Sequence, residues 1–178
     1  ARVMEGAGEP VLLLPPGASP HGYALRPSEA AALEAAEIVF WVGPAYTPWL
    51  ADALANLAGD ARRLALQEAE GVTLLPVRDG GPFASHDHDH GDDAHHDAAT
   101  GTVDGHLWLD PLNAVAIARS AAAVLAEADA ENAGIYQTNA IEFAAEMEML
   151  VAEITDRLAP VRNQRFLVFH DAYQYFES

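Results

Sequence analysis

Apolar residues along this chain fall into short continuous runs, separated by alanine-rich stretches and turn residues. Val11-Leu12-Leu13-Leu14, closed by Pro15-Pro16-Gly17, reads as a buried parallel strand, because a strand covered on both faces needs no polar alternation. Pro27-Ser28-Glu29 opens a helix to about Glu37, and Ile38-Val39-Phe40-Trp41-Val42 follows as a second buried strand ending at Gly43-Pro44. Strand, helix and strand in that order predict a parallel pair joined by a right-handed crossover. The pattern then predicts a helix over 48–57, a strand near 63–66 and irregular chain through Pro76.

Residues 79–105 differ in kind, being Gly, Asp, His, Ala and Thr with almost no large apolar side chain; they read as a mobile loop with nothing to bury. Asp110-Pro111 supplies an N-cap and a first-turn proline for a helix to about Ala128, with Ile117, Ala121, Val124 and Ala128 along one face. Asp129 caps the next predicted helix, which runs to Ala159 with Tyr136, Ala140, Phe143, Met147, Leu150, Ile154 and Leu158 in a stripe. Its length of about 44 Å exceeds what one globular layer needs and suits a tie between two lobes. Phe166-Leu167-Val168-Phe169 follows as a further buried strand. Both ends read as cut from a longer protein, since residues 1–6 resemble a helix tail and 170–178 begin an element.

Composition narrows the function. With 51% hydrophobic and 20% charged residues the chain can build a core. Its 27 acidic residues face 9 basic ones, all arginine, for a formal charge of −18, which argues against phosphate-backbone binding and favours cations as partners. No cysteine is present, so any metal must be held by His, Asp or Glu. No apolar run reaches the ~18 residues of a membrane span, so direct membrane insertion is not expected.

The histidines are the residues with metal chemistry. His86, His88, His90, His95 and His96 lie in the 79–105 segment among five aspartates, a composition suited to divalent cations. His86-Asp87-His88-Asp89-His90 also half-matches the His-x-His-x-Asp-His of metallo-β-lactamase-like hydrolases, failing where His90-Gly91 replaces Asp-His. His21, His106 and His170 stand alone. A lone histidine is commonly a hydrogen-bonded structural residue, yet His21 follows one predicted strand, His170 ends another and His106 precedes the capped helix. Ligands of open parallel sheets bind beyond such strand ends, and three imidazoles with one open position make a sound zinc shell. No motif of hydrolytic or phosphate-binding enzymes accompanies them.

In its Leu13-Leu14-Pro15-Pro16-Gly17-Ala18-Ser19-Pro20-His21, Leu25-Arg26-Pro27-Ser28, Val42-Gly43-Pro44, His106-Leu107-Trp108-Leu109-Asp110-Pro111 and Val168-Phe169-His170-Asp171-Ala172-Tyr173-Gln174-Tyr175-Phe176 segments, the chain resembles the ZnuA family of cluster A-I solute-binding proteins. These are zinc-binding periplasmic components of bacterial ABC importers. The resemblance implies an α/β fold of two parallel-sheet lobes joined by one long rigid helix. It divides the chain into a first lobe over 1–128, a connecting helix over 129–159 and the start of a second lobe over 160–178. It also implies a Zn2+ site at His21, His106 and His170, with the five loop histidines auxiliary. A monomer that captures zinc in the periplasm, delivers it to an inner-membrane permease and performs no catalysis follows. His170 stands where manganese-importing relatives usually carry a carboxylate, and a nitrogen shell favours zinc over the manganese or iron alternative. Pro20 replaces the glutamate that some zinc-type members place before the first histidine. A zinc hydrolase using the open position to activate water is the other class the residues allow.

Overall fold

The structure is a computed structural model that describes residues 1–78 and 103–177. Its elements are α1 (Pro27–Glu34), β1 (Ile38–Trp41), α2 (Pro48–Leu57), β2 (Arg62–Ala65), α3 (Pro111–Ala128), α4 (Ala133–Leu158) and α5 (Gln174–Glu177), with short 3-10 turns between them. Among the described residues the sheet has two strands, β1 and β2, parallel with Ile38 opposite Arg62 and Trp41 opposite Ala65. The chain is therefore α/β, and its parallel pair is formed by the second and third predicted strands across α2.

β1 organises the core through its period of two. Val39 and Trp41 pack on Leu33 of α1 and Leu50 and Leu54 of α2. On the other face, Ile38 and Phe40 pack on Ala122 and Leu125 of α3 and Tyr136 and Ala140 of α4, where Val3 and Met4 of the first turn also meet them. One four-residue strand thus stands between two helical layers, which explains its apolar character on both faces.

Helix starts follow local chemistry. Glu29 Oε2 accepts the Arg26 backbone N–H at 2.8 Å, and Oε1 accepts the Arg26 Nε–H and the Tyr23 hydroxyl, each at 2.8 Å. The Arg26 donors, ahead of the tyrosine, hold the Glu29 carboxyl down at about 2. Asp110 Oδ1 accepts the Leu112 N–H at 2.8 Å with Pro111 in the first turn, as expected for α3. Asp129 caps a 3-10 turn, Ala130–Asn132, and also accepts the Tyr136 hydroxyl at 2.8 Å, so α4 itself begins at Ala133.

Several expectations need correction. Val11-Leu12-Leu13-Leu14 is irregular chain, with Val11 77% and Leu12 71% exposed, and only Leu13 of the run packs on the first core. Phe166-Leu167-Val168-Phe169 is likewise not a strand, and Leu167 and Phe169 are fully exposed. A strand needs a neighbour to pair its N–H and C=O groups, and among the described residues neither run pairs with β1 or β2, the two strands of the sheet. α1 also stops at Glu34 rather than Glu37. The buried face of α3 is Asn113, Val115, Ala118, Ala122, Val124 and Leu125, of which only Val124 was on the expected face. Along α4, Tyr136, Ala140 and Ala144 are buried, whereas Leu150 and Leu158 farther along are exposed. His86, His88, His90, His95 and His96 lie outside the described residues.

Candidate metal centre

His21, His106 and His170 come from three separate segments, and each is delivered by a different local device. His21 lies in a loop that leaves the turn at Gly17, where φ is +83°, a conformation that favours glycine. The Trp49 indole N–H of α2 donates to the Pro20 carbonyl at 2.7 Å and so fixes the loop next to His21.

His106 is the N-cap of the 3-10 turn Leu107–Leu109, whose Leu107 has no exposed surface. Asp104, itself buried, accepts the His106 backbone N–H at 2.9 Å and lies 2.7 Å from the His106 Nδ1. That second contact makes Nδ1 the protonated nitrogen and leaves the Nε2 lone pair for a metal. The turn is clamped from behind by Asn113, which is 1% exposed. Its Oδ1 accepts the Thr73 N–H at 2.7 Å, and its Nδ2 donates to the Thr73 and Leu107 carbonyls at 2.9 and 3.0 Å. Gly105 completes the arrangement by close approach, since a Cβ there would lie 2.8 Å from the Tyr46 Cβ and 2.9 Å from its Cα.

His170 arrives on an exposed stretch. It is followed by α5, whose Tyr175 is buried and whose hydroxyl donates to the Asp104 carbonyl at 2.8 Å and accepts the Leu75 N–H at 2.9 Å. Arg78 reaches the same segment, pairing with Glu177 at 2.7 Å and Asp171 at 3.6 Å.

The result is a convergence of three rings. Centroids are 5.5 Å apart for His21 and His106, 5.4 Å for His21 and His170, and 5.1 Å for His106 and His170. One ligand nitrogen from each lies within 4.8 Å of the other two, and the Nε2 atoms of His106 and His170 are 3.2 Å apart. Two nitrogens bound to one zinc at ~2.05 Å in a tetrahedron stand about 3.3–3.4 Å apart, so this pair is nearly at bonding geometry already. Although His21 keeps exposed surface, partial desolvation of its ring lowers the pKa, and the neighbouring His106 and His170 add to the shift, which favours the neutral, metal-binding ring. Tyr46 stacks edge-on against both His21 and His106 and against Trp108, walling one side with aromatic surface. Among the described residues this is the one group of three side chains so placed.

Asp104, Asn113, Tyr46 and Tyr175 escaped the sequence reading. Asp104, two residues before a histidine in an Asp-Gly-His turn, carried a usable signal; the others act through partners far away in the chain.

Comparison with known proteins gives a consistent answer. The family model for ZnuA, described as zinc-uptake complex component A periplasmic, matches residues 1–178. The high-affinity zinc uptake system protein ZnuA of Brucella abortus is 40% identical over 198 aligned residues, covering 99% of this chain and 59% of that protein. The Yersinia pestis protein of the same name is 37% identical and covers all of this chain and 58% of its own length. A crystal structure of ZnuA superposes with a TM-score of 0.77 at 26% identity, over 98% of this chain and 60% of that one. A zinc-bound ZnuA deletion mutant gives 0.73 at 28% identity, over 93% and 55%. The chain spans somewhat under two thirds of the length of these relatives. With a family model matched from first residue to last, and relatives of such identity along the whole chain, this protein belongs to the ZnuA family.

Proposed function

We propose that His21, His106 and His170 bind one zinc ion, and that the protein captures zinc in the periplasm and passes it to an ABC-type permease in the inner membrane. The observation that carries this reading is the convergence of three imidazoles, with two Nε2 atoms 3.2 Å apart and all three ligand nitrogens within 4.8 Å. An all-nitrogen set favours zinc over manganese or iron, which suit oxygen ligands better. The protein performs no chemistry on the ion and works as a monomer. In this reading residues 1–128 form a first lobe, 129–159 the connecting helix that contains α4, and 160–178 the start of a second lobe that brings His170. The interior of α4 contains no proline, so a small rigid movement of the lobes, not a bend in the helix, opens the site. The five histidines between residues 79 and 105 bind further zinc more weakly than the three converging ones.

Chelator competition on the whole protein tests this. Replacing any one of His21, His106 or His170 by Ala should weaken the tightest zinc equivalent by about two to three orders of magnitude. Replacing all five auxiliary histidines by Ala should leave that equivalent unchanged and remove only weaker ones. Loss of the tightest equivalent in the five-histidine variant would move the primary site away from these three residues.

A further inference from the structure

We infer that Tyr175 is a positioning residue for the metal centre, its hydroxyl fastening the segment that brings His170 to the turn that brings His106. The inference rests on the three-histidine reading above and adds a residue to it that touches no metal. His170 and Tyr175 are five residues apart, and between them the chain makes one tight turn, with the Ala172 N–H on the His170 carbonyl at 2.9 Å, before entering α5. The place of Tyr175 therefore sets the place of His170.

On the opposite side, the Tyr175 hydroxyl sits between two backbone groups, accepting from Leu75 N–H at 2.9 Å and donating to Asp104 C=O at 2.8 Å. Those two residues are themselves joined, since the Asp104 N–H donates to the Leu75 carbonyl at 2.9 Å. Asp104 is the residue whose carboxylate orients the His106 ring. One phenol thus ties the backbone behind His106 to the helix behind His170.

Other links join the same two segments, among them the Arg78–Asp171 pair at 3.6 Å beside His170, but they keep more solvent contact. Gln174 Nε2 donates to the Pro76 carbonyl at 3.0 Å, and Arg78 pairs with Glu177, through partly exposed side chains that water can reach. Tyr175 is 3% exposed, so its two hydrogen bonds have no solvent to replace them. Around it, Leu167 and Phe169 are exposed, so the chain just before His170 gains little from apolar packing. Tyr175 is thus the buried tie between the segments that bring the two histidines.

The test compares Tyr175→Phe with Tyr136→Phe in the whole protein. Tyr136 also loses a hydroxyl bond, to Asp129 at 2.8 Å, but in the α3–α4 layer and remote from the histidines. Zinc dissociation into excess chelator is followed by stopped flow, the metal-free melting temperature is recorded alongside, and His170→Ala serves as reference. Tyr175→Phe should release zinc about tenfold faster, as expected for two buried hydrogen bonds lost in the bound state. It should keep the Co2+ absorption bands of a tetrahedral nitrogen site. Tyr136→Phe should lower the melting temperature and leave zinc release unchanged. A release rate for Tyr175→Phe equal to the parent, or raised no more than that of Tyr136→Phe, overturns the positioning role. Should His170→Ala itself retain tight zinc, the three-histidine reading fails instead, whatever Tyr175 does.

Discussion

His106 and His170 offer the same nitrogen from very different supports. The His106 side chain is 12% exposed and is held by a buried carboxylate, a fully buried leucine and an asparagine clamp. His170 is exposed and follows Phe169, whose ring has no cover, and what docks it is the four-residue helix α5. In the zinc site proposed above, one fixed and one docked ligand would let the site be prepared before the ion arrives and still let it go, because only the docked side would have to move. His21 stands between the two, exposed itself but on a loop pinned by Trp49.

Breaking the fixed side should have the largest effect. Asn113→Ala leaves the Thr73 N–H and the carbonyls of Thr73 and Leu107 without their partner, and should lower the unfolding free energy by about 3 kcal/mol in urea denaturation. With its clamp gone, the His106 turn comes to resemble the support of His170, and zinc binding weakens with it. If stability falls and zinc affinity does not, the contrast between fixed and docked ligands is wrong. Asp104→Ala acts on the ring alone and should cost about 10–100-fold in zinc affinity by chelator competition, with Asp104→Asn restoring part of it, as for other carboxylates behind a ligating histidine. Trp49→Phe removes the single hydrogen bond that pins Pro20 and should weaken zinc binding about fivefold, equivalent to ~1 kcal/mol. An effect of Trp49→Phe as large as that of Asp104→Ala would place His21 on the fixed side of the comparison.

What could be read from sequence follows the same division between local and distant causes. α2 spans Pro48–Leu57 as expected because its first-turn proline and apolar spacing are local signals, and the cap at Asp110 was legible for the same reason. Val11-Leu12-Leu13-Leu14 and Phe166-Leu167-Val168-Phe169 misled because an apolar run shows a wish to be buried but does not specify a strand partner. The face of α3 misled because β1 and α4 cover it over a wide arc, and the alanines that fit there carry little periodic signal. Of the three isolated histidines, His106 stands at the end of an observed element, whereas the strands that single out His21 and His170 do not form. Their supports could not be read from sequence, since Asn113 meets Thr73 and Tyr175 meets Leu75 across 40 and 100 residues.

The aromatic wall beside the histidines has an optical consequence. Zinc has a filled d shell and no absorption bands of its own, so its arrival at a protein is ordinarily invisible to a spectrometer. Here the Trp49 indole is bonded to the residue before His21, and the Trp108 ring lies 5.7 Å from that of His106 and 4.3 Å from Tyr46. Trp41 packs against the first core with Leu33 and Leu50, and so does the Trp49 ring. Trp108 therefore stands at the proposed ligands, Trp41 in the fold's core and Trp49 at both, so ultraviolet emission of the unlabelled chain should distinguish capture of the ion from unfolding through Trp108.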